Sequence, residues 1–212
     1  MGFIPEEPRQ HLKEAFEAKL KDEVRLVMFT QETECPRCKD ARELVQEIAG
    51  LSSKIKLEVY DFVEDNGKAK EYKIDKVPAI ALIGKKDYGM RYYGVPLGYE
   101  FKAFVDSIIN ISNGATNLTE ETKKKLGSIS KPVHIQVFVT LACRYCPPAA
   151  GLAYKLALEN ELVRTDVVDV SEFPGLGQKY RVMGVPKTVI NEQTEFVGSV
   201  PEAQFVAHVL EA

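Results

Sequence analysis

Glu71–Ile80 reads EYKIDKVPAI, and Lys179–Thr188 reads KYRVMGVPKT. The two stretches share Tyr, a basic residue, a branched aliphatic, two variable positions and Val-Pro, at an offset of 108 residues. The same offset carries Cys35 and Cys38 onto Cys143 and Cys146, and Asp61 onto Asp169. Beyond the Val-Pro pair it falls to 104, relating Gly94, Phe101, Ala103 and Val105 to Gly198, Phe205, Ala207 and Val209. An offset that holds this long and changes once, near a turn, marks a tandem duplication. The second copy has lost about four residues near Gly84–Gly89.

Each copy repeats one order of elements. In the first, apolar residues at Leu12, Phe16 and Leu20 line one helix face, and VRLVMFT (24–30) is a β-branched run typical of a buried strand. CPRCKDARELVQEIAG is expected to be helical from near Pro36 to a stop at Gly50. A strand in KIKLEVYDF, a short helix in EDNGKAKEYK, a hairpin from PAIALIG to MRYYG and a helix in LGYEFKAFVDSIIN follow. The second copy repeats this through VHIQVFV, LVRTDVVDV, KTVIN and TEFVG to a closing helix over 202–210. Residues 1–115 and 116–212 are therefore expected to form two units, joined by the polar NISNGATNLTEE. Each βαβ start must cross over right-handed, giving an α/β fold with a mixed central sheet and helices on both faces.

Composition excludes several classes of function. The chain has 212 residues, with 45% hydrophobic and 28% charged. No apolar run approaches the roughly 20 residues that span a bilayer, so no membrane role is expected. The opening MGFIPEEPRQHLKEAF reads as neither a secretory signal nor a myristoylation site, which makes a cytoplasmic location the expectation. A net charge of −3 with dispersed lysines gives no electrostatic case for nucleic acid. His11, His134 and His208 have no partner at catalytic spacing in the sequence, and Tyr72 and Tyr180 read as packing residues. Asp61 and Asp169 read as strand-end or capping residues.

All four cysteines fall in C-x-x-C pairs, CPRC at Cys35 and Cys38 and CRYC at Cys143 and Cys146. Such a pair can clip a metal, staple a loop or exchange electrons. A zinc site built from all four cysteines is the main non-enzymatic alternative, opposed by the 104 residues between the pairs and by the lack of a Gly-rich hairpin. At a helix start, positions i and i+3 share a face, and the outer sulfur lies near unpaired N–H groups that favour its thiolate. The outer Cys35 and Cys143 then attack a substrate disulfide, and the more covered Cys38 and Cys146 resolve the mixed disulfide. A cis bond at Val77-Pro78 and Val185-Pro186 would present backbone groups to a substrate strand beside these sulfurs.

C-x-x-C after the first strand with Val-Pro about 40 residues later resembles a thioredoxin-fold unit. Two intact units in one chain resemble the protein disulfide oxidoreductases, or glutaredoxin-like proteins, of thermophilic archaea and bacteria. The resemblance spans essentially the whole chain. It implies reduction, oxidation or isomerisation of protein disulfides, with no cofactor beyond the redox-active disulfides and no metal. Its implied partners are protein disulfide and dithiol substrates and a thioredoxin reductase-like flavoprotein donor. An electron-relay module for a flavin-dependent peroxide-reducing system is the alternative, although one motif in such modules is degenerate. The chain also departs from ordinary thioredoxins: it has no Trp, and Phe29 and Val137 stand where those carry a buried carboxylate. The proton acceptor for the inner thiol is thus unassigned by sequence. The Pro147-Pro148 pair, matched by Lys39-Asp40 in the first copy, is expected to kink the second cysteine helix slightly.

Overall fold

A computed structural model describes residues 2–212. The first half runs α1 (Glu6–Lys19), β1 (Val24–Thr30), α2 (Cys38–Ala49), β2 (Ile55–Asp61), α3 (Asn66–Glu71), β3 (Ala79–Ile83), β4 (Asp87–Tyr93) and α4 (Glu100–Asn113). The second runs α5 (Glu120–Leu126), β5 (Val133–Val139), α6 (Cys146–Glu159), β6 (Val163–Asp169), α7 (Pro174–Lys179), β7 (Lys187–Ile190), β8 (Thr194–Val197) and α8 (Glu202–Glu211). The order deduced from the repeat is thus present in both halves. Part of the expected linker is helical: α4 keeps Ile111 in the core and stops only at Gly114, whose φ of 60° is the left-handed cap that glycine accepts freely.

The strands form one eight-stranded sheet in the order β2-β1-β3-β4-β6-β5-β7-β8. Within each half the third strand is antiparallel to the first and fourth, and the second is parallel to the first. The halves join where β4 runs parallel to β6, Met90 opposite Thr165 through Tyr93 opposite Val168. Strands β1, β2, β4, β5 and β6 consequently all point the same way. Successive side chains alternate faces, so Leu26 and Met28 enter one core and Val27 and Phe29 the other. The first core lies under α1, α2, α4, α5, α6 and α8; the second lies under α3 and α7. No helix among the described residues is long and apolar enough to cross a membrane.

The join accounts for three of the four residues lost from the second copy. Strand β4 is interior and needs seven residues, whereas β8 lies at the sheet edge with four. The last four positions of β4, Met90–Tyr93, are fully buried, while Thr194–Val197 alternates between partly buried and exposed. At Gly89 a Cβ would come within 3.1 Å of Arg164 Cα, and φ is +74°, so the approach of the two halves requires glycine there.

Candidate functional site

Loops leaving the carboxyl ends of β1 and β5 carry the two cysteine pairs, on the same rim of the sheet. The helices begin later than expected. Cys38 and Cys146 are their first residues, and Cys35 and Cys143 sit one turn earlier. The Cys38 N–H donates to the Cys35 carbonyl (3.2 Å), as Cys146 does to Cys143 (3.3 Å). Pro36 and Arg37 form this turn, so Pro36 stiffens it ahead of the helix. Pro147 and Pro148 then occupy the second and third helical positions, whose N–H groups lack intrahelical acceptors in any case. The kink expected at Pro148 therefore has no cause.

Each pair is joined as a disulfide, with Cα atoms 5.4 Å apart for Cys35–Cys38 and 5.5 Å for Cys143–Cys146. The inner sulfurs are covered, Cys38 being 2% and Cys146 0% exposed, while Cys35 and Cys143 are half-buried. Val77-Pro78 and Val185-Pro186 are both cis. The Val185 carbonyl lies 3.6 Å from Cys143 Sγ. The Pro78 carbonyl accepts from Gly94 N–H (3.0 Å) and that of Pro186 from Gly198 N–H (2.7 Å), tying each Val-Pro to the last strand of its half. The predicted cysteines and Val-Pro pairs are thus brought together in each half. The halves stay apart: β1 and β5 are separated by four strand spacings, about 19 Å. Among the described residues no cluster of three or more His, Cys, Asp or Glu is placed to hold a metal, so the four-cysteine zinc arrangement is not formed.

The two neighbourhoods differ. Cys35 opens into a cleft of about 660 Å³ that also takes in Pro78, Leu141 and two carboxylates of the second half, Asp169 and Glu172. Glu172 accepts a 3.0 Å bond from Val95 N–H, and its carboxylate lies 4.0 Å from Arg37, which pairs more closely with Asp40 (3.0 Å). Asp169 ends β6 and accepts from Ser171 N–H (3.0 Å), as expected for a strand-end residue. Its other oxygen is buried without a partner, as is Glu172 Oε2. Burial pushes both carboxyls above their ordinary range, and for Glu172 the neighbouring Asp169 adds to this. Around Cys143 the second half instead leaves apolar side chains exposed: Tyr145 (58%), Met183 (95%) and Val197 (60%).

A further acid escaped sequence reading. Glu100 opens α4, next to Tyr99, whose N–H donates to Leu141, two residues before Cys143. It is 1% exposed with Oε1 unpartnered, and burial, with repulsion from Asp169, pushes its carboxyl up to about 8. His134 does have a partner, Asp166 at 2.7 Å, but at the amino end of β5, far from the cysteine rim. Burial pushes Asp166 up, and the His134 hydrogen bond and Arg164 outweigh it, leaving the carboxyl below its ordinary value. Arg164 Nη2 also donates to the Lys73 carbonyl (2.9 Å), so this network helps clamp the two halves.

A model of the thioredoxin domain matches residues 24–106 and again residues 133–211. Among solved structures, a protein disulfide oxidoreductase from Aeropyrum pernix K1 is 31% identical with a TM-score of 0.91, over 97% of this chain and 92% of that one. The alkylhydroperoxide reductase AhpF of Enterococcus faecalis (V583), solved as its C503A mutant, is 28% identical with a TM-score of 0.90, over 98% and 99%. Among curated proteins, an NADH dehydrogenase of Bacillus subtilis (strain 168) is 23% identical over 158 residues, 74% of this chain and 28% of that protein. The chain spans under a third of the length of the curated relatives it matches first.

Proposed function

The chain belongs to the thioredoxin-domain family, and from that premise we propose that it exchanges thiols and disulfides on protein substrates at two dithiol sites, one in residues 1–115 and one in 116–212. The observation that carries this is the same constellation built twice on one rim: a C-x-x-C pair close enough to bond, with its inner sulfur covered and a cis Val-Pro beside it. In the reducing direction the Cys35 or Cys143 thiolate attacks one sulfur of a substrate disulfide and displaces the other as thiolate. Cys38 or Cys146 then attacks the outer sulfur and releases the second substrate thiolate. Two protein thiols become one disulfide, one substrate disulfide becomes two thiols, and the two protons end on the substrate. Val77-Pro78 and Val185-Pro186 hold the substrate backbone during attack. Running backwards, the same steps oxidise a dithiol, and attack followed by release isomerises a disulfide.

A flavoprotein fed by a nicotinamide dinucleotide is the donor that would restore the dithiols, and a cytoplasmic, thermophilic setting fits the resemblance to disulfide oxidoreductases. The likeness to the alkylhydroperoxide reductase AhpF favours a second reading, in which the dithiols relay electrons toward peroxide reduction. Insulin reduction separates catalysis from a scaffold role. The double variants Cys35→Ser/Cys38→Ser and Cys143→Ser/Cys146→Ser should each lower the rate several-fold, and the quadruple variant should abolish it. Full activity in the quadruple variant would overturn the proposal.

A further inference from the structure

We infer that the cleft at Cys35 is a specificity pocket for a lysine or arginine side chain lying beside the substrate cysteine, with Asp169 and Glu172 of the other half receiving its charge. The inference rests on the proposed exchange chemistry and adds to it the class of substrate that this site prefers.

The walls and the floor of the cleft differ in kind. Pro78, Leu141 and Ala142 give apolar walls, which suit the methylene stem of a long basic side chain. Asp169, 1% exposed, and Glu172, its side chain 10% exposed, line the cleft, and each has one oxygen buried without a partner. A buried acceptor without a donor costs free energy that an incoming guanidinium or ammonium recovers, and a charge-assisted bond is stronger than a neutral one. Glu34 adds a third carboxylate to the lining, against the single cation Arg37, which is already held by Asp40. A substrate cation also lowers the proton affinity of carboxyls that burial has raised.

The duplication supplies an internal control. Arg37, Asp75 and Tyr93 of the first half correspond in the second to Tyr145, Met183 and Val197, all exposed and apolar or aromatic. Among the described residues β8 is an edge strand where β4 pairs with β6, so the Cys143 site has no counterpart of the Asp169 and Glu172 that β6 and the turn after it bring to Cys35. The acidic cleft is therefore a product of joining the halves and belongs to one site only.

The test uses the full-length chain carrying Cys143→Ser/Cys146→Ser, reduced beforehand with dithiothreitol. The probes are three short peptides whose single cysteine is capped as a nitrothiobenzoate disulfide and flanked by Arg, Ser or Glu. Cys35 displaces the coloured thiolate, and Cys38 then releases the peptide. In this single-turnover reaction the Arg peptide should release the coloured thiolate with a second-order rate constant about ten-fold above that of the Glu peptide, with Ser between them. Glu172→Gln and, separately, Asp169→Asn should collapse that ratio by slowing the Arg peptide while sparing the Ser peptide. Raised salt should narrow the ratio in the unsubstituted cleft, a readout that needs no variant to fold. Equal rates for the three peptides, or variants that slow all three alike, would overturn the specificity role. Loss of Cys35 with no effect on any peptide would instead overturn the exchange chemistry itself.

Discussion

A carboxylate at the first turn of a helix is ordinarily welcome, because the N–H groups and dipole there favour negative charge. Glu100 has that position but also lies inside the junction of the halves, near Asp169 and the unpartnered Tyr92 hydroxyl, and desolvation wins. Its carboxyl titrates at about 8 in the folded chain against 4.5 for an ordinary glutamate. Between those values the folded state holds a proton that the unfolded state has lost, so stability falls as pH rises through that window. Below it the group costs nothing; above it the full penalty applies, on the order of a few kcal/mol. Glu100→Gln should therefore have little effect on denaturant stability at pH 4 and should stabilise the chain progressively toward pH 9. Equal effects at both ends would show that Glu100 is ionised in the fold. Sequence alone placed the cysteines and the Val-Pro pairs together because each lies at a fixed step from a strand in its own half. It was silent on Glu100, and it marked Asp169 only as a strand end. Their proximity to the cysteine loops comes from contacts between halves, which leave no periodic signature.

Among the elements, α3 and α7 explain why the Tyr-basic-aliphatic motif recurs. Lys73 and Arg181 follow these helices with φ of 55° and 48°, the left-handed conformation that glycine takes most easily. Ile74 N–H reaches back to Ala69 (2.8 Å) and Lys73 N–H to Lys70 (3.1 Å). Val182 to Gly177 (2.8 Å) and Arg181 to Gln178 (3.1 Å) repeat the pattern, so both helices end in a Schellman motif with an aliphatic residue folded back onto the core. The motif is a helix stop that aims the chain into the cis Val-Pro. Both basic side chains are exposed, so Arg181→Gly and Lys73→Gly should each raise stability by about 0.5–1 kcal/mol, seen as a higher urea midpoint with unchanged slope. A lower midpoint would mean that the side chains hold the turn. The cysteine helices were less legible at their starts, because proline fits either a turn or a first helical turn and the periodic pattern begins only with the apolar residues Ala41, Leu44, Val45 and Ile48.

On the scale of the molecule, duplication foretold two similar sheets but not their union. A signal was there in hindsight: the last strand of the first copy, MRYY, is apolar on both faces apart from Arg91, whereas TEFV alternates. Arg91 disguised it. Its guanidinium is buried, donating to the Tyr72 carbonyl (3.0 Å) and Asp87 (2.9 Å), while the Tyr154 hydroxyl of the second half donates to its own carbonyl (2.7 Å). The halves should therefore not be independent. Residues 1–115 and 116–212 made as separate chains should each self-associate or precipitate, and mixing them during refolding should yield one 1:1 complex by light scattering. Two well-behaved monomers would show that the junction is dispensable.

Two separate four-stranded sheets would offer four open borders of unpaired N–H and C=O groups, each a template on which another chain can add a strand. The pairing of β4 with β6 removes two of them, and both strands are largely buried at the junction. The borders that survive are β8, only four residues long, and β2, whose Lys56 and Glu58 place opposite charges along it. Fusion of the copies thus acts as a guard against aggregation, hiding the adhesive strands of each half inside the other.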